Sequence, residues 1–212
     1  MRIPSTSGIK KALLLILLIG VALALIQYYP VIKSEAEYLI RTVRGQRQQK
    51  VALTTPKTTD KEKEKAKTIV PVDKEFGIVI PKIGVNMAII PQIDPFDPKK
   101  YQKALIKGIA HVKDTTLPGS EGNTVLFAHS SDNFYNANRY NAVFYLLSKL
   151  VTGDDVVVAY ENTLYRYKVT EKSIVEPGDI KYMERSTESK VTLITCWPPG
   201  TTIKRLIVVA KP

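Results

Sequence analysis

Fifteen consecutive positions near the N-terminus, 12–26, carry no charge: ALLLILLIGVALALI. From Ala12 to Ile32 the apolar run is broken only by Gln27. At about 1.5 Å of rise per residue such a helix crosses a hydrocarbon core of about 30 Å. Arg2, Lys10 and Lys11 precede it, Lys33 closes it, and Tyr28 and Tyr29 fall where interfacial aromatics belong. The pattern predicts a transmembrane anchor over 12–32, with residues 1–11 as a cytoplasmic N-terminus. The competing reading is a cleaved signal peptide, because Ala22-Leu23-Ala24 has the small-x-small form of a cleavage site. Leu25 and Ile26 continue the run without a break, which favours the anchor. Both readings send residues 33–212 across the membrane. Charge bias alone does not fix the orientation, since Arg41, Arg44, Arg47 and Lys50 make the far flank basic too.

The pattern changes twice before residue 71. Residues 34–49, SEAEYLIRTVRGQRQQ, predict a short polar helix with Ser34 as N-cap and Glu37 three residues on. Residues 50–70, with their Lys/Glu run, hold no aromatic and few large aliphatics, so they bury too little to fold alone and predict a charged, extended tether. The helix and tether together form an extracytoplasmic linker over 33–70.

From 71 to 212 short apolar runs alternate with Pro, Gly, Asn and Asp. Seven of them predict strands: 76–80, 85–90, 123–129, 155–160, 163–171, 190–196 and 205–210, rich in Val, Ile, Tyr and Thr. Glu161-Asn162 predicts a tight hairpin between two of these. Helical spacing appears over 98–108, ended by Gly108, and over 138–150, where Val143, Leu146, Leu147 and Leu150 share a face. The fold class is all-β with short helices, a closed or nearly closed β-barrel.

Composition sharpens this reading. A net charge of +11 invites a nucleic-acid partner, but residues 1–70 hold 13 Lys+Arg against 5 Asp+Glu, and residues 71–212 hold 18 against 15. The basic excess belongs to the N-terminal arm, so no nucleic-acid partner is expected of the folded part. One Cys excludes an intramolecular disulfide, and one Cys with two His makes a Cys/His zinc site unfavourable. No cofactor or metal is expected.

Cys196 ends the apolar run VTLITC and meets Trp197-Pro198-Pro199-Gly200, where the chain must reach the surface. A lone Cys is ordinarily a small buried hydrophobe, and this placement argues against that. His129 likewise ends NTVLFAH before a polar loop, whereas His111, between Ala110 and Val112, reads as a packing residue. If 190–196 and 205–210 pair antiparallel, Arg205 comes beside Cys196. If the strand ending at His129 runs parallel to the cysteine strand, all three gather at one rim. Thiol, imidazole and guanidinium are the parts of an acyl-transfer site: a nucleophile, a proton carrier and an oxyanion partner.

These residues resemble the sortases, the membrane-anchored cysteine transpeptidases of bacterial surfaces. Thr192-Leu193-Ile194-Thr195-Cys196 resembles the TLxTC signature. Ile80-Pro81-Lys82-Ile83-Gly84-Val85 resembles the early strand motif, and Gly108-Ile109-Ala110-His111, Leu117-Pro118-Gly119 and Gly122-Asn123 resemble the lead to the histidine strand. Ala128-His129-Ser130 resembles the catalytic histidine motif, and Arg205 stands where the family's arginine follows its cysteine. The resemblance spans about residues 76–210 and looks most like a housekeeping or class D/E-like member.

The resemblance implies an eight-stranded sortase-type barrel over 71–212. It implies a Cys196 nucleophile, His129 as acid and base, and Arg205 for substrate positioning and oxyanion stabilisation. Thr195, Ala128 and Ser130 would lie along the substrate, and Asp132 is a weaker candidate for orienting the imidazole. The substrate would be an LPxTG-type sorting signal cut between Thr and Gly, and the acceptor an amine of the cell envelope. The lipid bilayer is the partner of the N-terminal helix. The stretch 111–121 carries only Asp114 and Glu121, so no calcium requirement is expected. Asp94-Pro95-Phe96 has the form of a family lid motif but follows the second strand and reads as a turn. The loop 172–189, just before the cysteine strand, is expected to border the pocket. The reading from another class is a catalytically silent, membrane-tethered binding barrel. A peptidoglycan L,D-transpeptidase is disfavoured, because Ile194-Thr195 precede the cysteine in place of that family's Ser-His-Gly-Cys-like run.

Overall fold

The computed structural model describes residues 6–43, 50–53, 68–130 and 142–212. Two compact units divide the chain, Met1–Glu37 and Tyr38–Pro212.

The first unit is the greater part of α1 (Thr6–Val43). Each residue from Leu13 to Ile19 is at least 51% exposed, and successive positions point all round a helix, so no face of this stretch is packed. Among the described residues no helix is long and apolar enough to cross a membrane. The separate helix expected to begin at Ser34 does not exist. Ser34 sits inside α1, where the backbone ladder runs through and leaves no N-terminus to cap.

The second unit is a closed barrel of eight strands. Outside it, β1 (Lys50–Val51) and β2 (Thr68–Ile69) pair parallel. The barrel strands are β3 (Phe76–Ile80), β4 (Val85–Ile93), β5 (Ile109–Val112), β6 (Asn123–Phe127), β7 (Asp155–Tyr160), β8 (Thr163–Val175), β9 (Lys190–Trp197) and β10 (Lys204–Lys211). Around the barrel they run β10-β8-β7-β3-β4-β5-β6-β9, and β9 closes on β10. Alternate side chains fill the interior, among them Ile78, Leu126, Val158, Leu193 and Val208, each 0% exposed. The predicted hairpin stands: Glu161 and Asn162 have φ of 47° and 59°, as a two-residue turn between twisted strands requires.

Two further expectations are corrected, and one helix is confirmed. Of the stretch 50–70, residues 54–67 lie outside the described set, and the described ends are not a free tether: Val51 is 2% exposed against Val79 and Val157, two valines on the outside of the barrel. Those valines would otherwise face water, so the tether's ends dock on them. Arg166 Nη2 donates to the Val51 carbonyl at 2.6 Å, and Ala52 N donates to Ile69 O at 3.0 Å. The helix expected over 138–150 is instead a 3₁₀ turn at Tyr145–Lys149, and residues 138–141 lie outside the described set. Three residues per turn puts Phe144, Leu147 and Leu150 in one line, and all three are 0% exposed. The helix expected over 98–108 is α2 (Pro98–Leu105), opened by Asp97, whose side chain accepts from Lys99 N and Lys100 N.

One glycine is dictated twice. Gly84 closes the 3₁₀ turn Pro81–Ile83 at φ 69°, and the Arg41 guanidinium occupies the place a Cβ would take.

Candidate active site

The site follows from two strand registers. On one side β6 and β9 run parallel with Phe127 opposite Ile194, and Ala128 N extends the ladder to Ile194 O at 3.2 Å. Two residues further along each chain stand His129 and Cys196. On the other side β9 and β10 run antiparallel with Arg205 directly opposite Cys196. Adjacent strands lie about 4.8 Å apart, so His129 and Arg205 stand along the two chain segments that neighbour Cys196. Both of the strand pairings expected from the sequence are present.

Alternation decides what faces out. Leu193 is 0% exposed and Thr195 3%, on the barrel's inner side, whereas Ile194 and Cys196 are half-buried on the outer side. Cys196 is a free thiol. With His129 and Arg205 it lines one cavity of about 580 Å³. Arg205 is not adrift: its Nη1 donates to the carbonyls of Thr202 and Lys204, each at 3.1 Å, which ties the guanidinium to the loop after the cysteine strand.

The three flanking residues expected along the substrate are mostly covered. Thr195, Ala128 and Ser130 are 3%, 6% and 3% exposed, and they border the cavity from beneath. The Thr195 hydroxyl donates to the Ala128 carbonyl at 2.8 Å, so it joins the cysteine strand to the residue before His129 and is not a free donor to the cavity. Asp132 lies outside the described residues.

Sequence reasoning left most of the cavity wall unassigned. Asp94-Pro95-Phe96 is a turn, as expected, with Asp94 Oδ1 accepting from Phe96 N at 2.9 Å. It is also the cavity's lip, where Phe96 stands 76% exposed. Tyr101 and Ile106 from α2 and its C-terminus continue that wall. Across from it, the segment after β8 supplies Pro177, Asp179 and Met183. The expected loop 172–189 is therefore partly strand, because β8 runs on to Val175 in pairing with Arg205. Exposed Phe96 beside a proline was the one sequence signal for the lip.

Away from the thiol, a polar groove of about 720 Å³ is lined by Glu171, Tyr182, Glu188 and Lys211, among others, and Lys211 already pairs with Glu188 at 2.5 Å. It holds no thiol. Among the described residues no three His, Cys, Asp or Glu side chains converge as a metal site would require. His111 is fully covered, packs edge-on to Phe76 with ring centroids 5.5 Å apart, and has its pKa lowered by burial.

A barrel that sets a solvent-reachable thiol between an imidazole and a guanidinium belongs to the cysteine enzymes of acyl transfer. The sequence profile of the Sortase domain matches residues 78–212, and the chain belongs to the sortase family. Sortases are cysteine transpeptidases that act on proteins carrying cell-wall sorting signals. Sortase D of Bacillus subtilis (strain 168) is 28% identical over 162 residues, covering 74% of this chain and 73% of the relative. The structure of a Clostridium perfringens Sortase D5 transpeptidase superposes with a TM-score of 0.53 at 28% identity, covering 66% of this chain and 78% of that one. Sortase C-1 of Actinomyces oris gives 0.54 at 27% identity, covering 66% and 73%. The class D/E-like resemblance agrees with the Sortase D relative.

Proposed function

We propose that this enzyme cleaves an LPxTG-type sorting signal between Thr and Gly and transfers the new carboxyl end to a cell-envelope amine. The observation that carries it is the double register that puts His129 and Arg205 on either side of Cys196. The Cys196 thiolate attacks the Thr carbonyl carbon, forming a C–S bond and an oxyanion beside Arg205. Collapse breaks the C–N bond to Gly, and the leaving amine takes a proton from the His129 imidazolium. The acceptor amine then attacks the thioester and returns a proton to His129 as the amide forms and the thiolate departs. Thr195 serves through its bond to Ala128, holding the two strands in step. Ala128 and Ser130 shape the floor beneath the peptide.

The same reading makes α1 the membrane anchor, with the barrel on the extracytoplasmic side. Its support is the charge-free run 12–26, carried on one helix with apolar side chains exposed on every side.

The test is the full chain with LPxTG-type peptides and triglycine, read by mass spectrometry for the Thr–triglycine product. Cys196→Ala is expected to abolish turnover, and turnover retained in Cys196→Ala overturns the assignment. A silent binding barrel predicts that a small thiol reagent fails to label Cys196 in the folded protein.

A further inference from the structure

Asn123, the first residue of β6, is 1% exposed, and every polar atom of its side chain is engaged. Its Oδ1 accepts from Thr192 Oγ1 at 2.7 Å. Its Nδ2 donates twice, to the Tyr182 carbonyl at 2.8 Å and the Glu184 carbonyl at 3.1 Å. An amide has two donors, and here both go to one segment of a distant loop.

Those two carbonyls flank Met183. The Met183 side chain lines the cavity that holds Cys196, as do Pro177 and Asp179 of the same segment. The ion pairs and the tyrosine contact that also tie the segment to the barrel lie at the surface: Glu176 pairs with Lys204 at 3.3 Å and Glu188 with Lys211 at 2.5 Å near its two ends, and Tyr182 Oη reaches Glu171 at 3.4 Å. A buried hydrogen bond keeps its strength, and one left unmade is costly, so the buried pair outweighs the exposed ones. Asn123 itself stands at the opposite end of β6 from His129 and touches none of the reacting groups.

We infer that Asn123 is the latch that seats residues 176–189 against the barrel and, through Met183, sets the wall against which the peptide substrate is captured. The inference rests on the sortase reading and adds to it a positioning residue for substrate capture, distinct from bond breaking. Thr192 orients the amide so that its NH₂ faces the loop.

The test compares the full-length enzyme with Asn123→Ala, Met183→Ala and the double variant. Transpeptidation of an LPxTG-type peptide to triglycine is measured beside Cys196 alkylation by iodoacetamide, and hydrogen exchange is followed over 180–185. Asn123→Ala is expected to raise KM about ten-fold, with kcat within about two-fold of the parent. Exchange at 180–185 should rise while alkylation stays unchanged. Met183→Ala should raise KM as well, and the double variant should be no worse than the poorer single variant. Thr192→Val removes the bond that orients the amide but leaves its two donors in place, so it should raise KM less than Asn123→Ala does. An unchanged KM in Asn123→Ala, multiplying effects in the double variant, or exchange that rises over the whole barrel instead of the segment overturns the latch. Asn123→Asp keeps the shape and the Thr192 bond while facing the carbonyls with oxygen, and it carries the same test if the alanine variant does not fold. If the parent enzyme turns over no such peptide, the sortase-substrate reading falls by itself, and exchange at 180–185 still decides the latch.

Discussion

Val51→Asp in the full chain separates the docked strip from the barrel it covers. Val51 is 2% exposed, and the valines beneath it, Val79 and Val157, are 0% and 1%. Full burial of a valine side chain is worth about 1.5–3 kcal/mol. A carboxylate does not stay buried against Val79 and Val157, so the strip leaves instead. Departure forfeits Val51 burial, the bond from Arg166 to the Val51 carbonyl and the short β1–β2 pairing. It also releases the ordered residues 50–53 and 68–70, and that regained entropy offsets part of the loss. The net cost is therefore capped at the docking free energy, about 2 kcal/mol. Val157→Asp has no such escape, because Val157 is paired inside β7 with Val79 on one side and Arg166 on the other. It should cost more than about 4 kcal/mol or prevent folding. Urea unfolding gives the two stabilities, and hydrogen exchange should show 50–53 and 68–70 losing protection while β3 and β7 keep theirs. If Val51→Asp destabilises the barrel as much as Val157→Asp, or leaves exchange at 68–70 unchanged, the capped-cost reasoning is wrong.

Acid should weaken the fold through His111. Its Nε2 lies 2.9 Å from Thr115 Oγ1 and 3.3 Å from the Thr116 carbonyl, whereas its buried Nδ1 has no partner among the described residues. Burial lowers the folded-state pKa below the unfolded value, so the unfolded chain binds the extra proton and stability falls as pH drops below the ordinary histidine value of about 6.5. The slope for one proton approaches about 1.4 kcal/mol per pH unit, and His111→Phe should flatten that part of a urea-midpoint-versus-pH curve. A parental curve that is already flat between pH 6.5 and 5 would refute the role. Thr195→Val removes the hydroxyl that donates to the Ala128 carbonyl while keeping shape, and should cost about 1–3 kcal/mol in urea unfolding. It should also lower kcat more than it raises KM, because the link it cuts runs between the cysteine strand and the histidine segment; a loss confined to KM would contradict this.

The barrel was legible where strands advertise themselves. Phe76–Ile80 and Asp155–Tyr160 are β-rich runs bounded by polar residues, and the strands formed at those limits. Ile109–Val112 was not among the seven predicted strands, because four residues buried on both faces show no alternation. Val143 to Leu150 shows helical spacing that tertiary packing overrode, since a 3₁₀ turn buries Phe144, Leu147 and Leu150 together. The three side chains proposed to react could be named because each stands at or near a strand end: His129 two residues past β6, Cys196 one before the end of β9, Arg205 second in β10. The walls were legible only in part: the segment that holds Met183 was expected to border the pocket, whereas the place of Phe96 at its lip and the bonds from Asn123 to that segment depend on folds of the chain that bring residues far apart in order to one place, and no local pattern announces that. Docking of Val51 was hidden for the same reason, its partners being 28 and 106 positions away.

The parallel neighbours β6 and β9 divide labour in this enzyme. The gap between sulfur and ring is gauged by a ladder of backbone hydrogen bonds. Much of the cavity's outer wall hangs from the turn after β4, the helix α2 or the segment before β9, while Ala128, Ser130 and the loop after β9 supply the rest. Recognition can thus be rewritten by grafting those three pieces from one member to another while the chemistry keeps its spacing. A transpeptidase with a new sequence preference is reached by exchanging walls, with the two central strands left untouched.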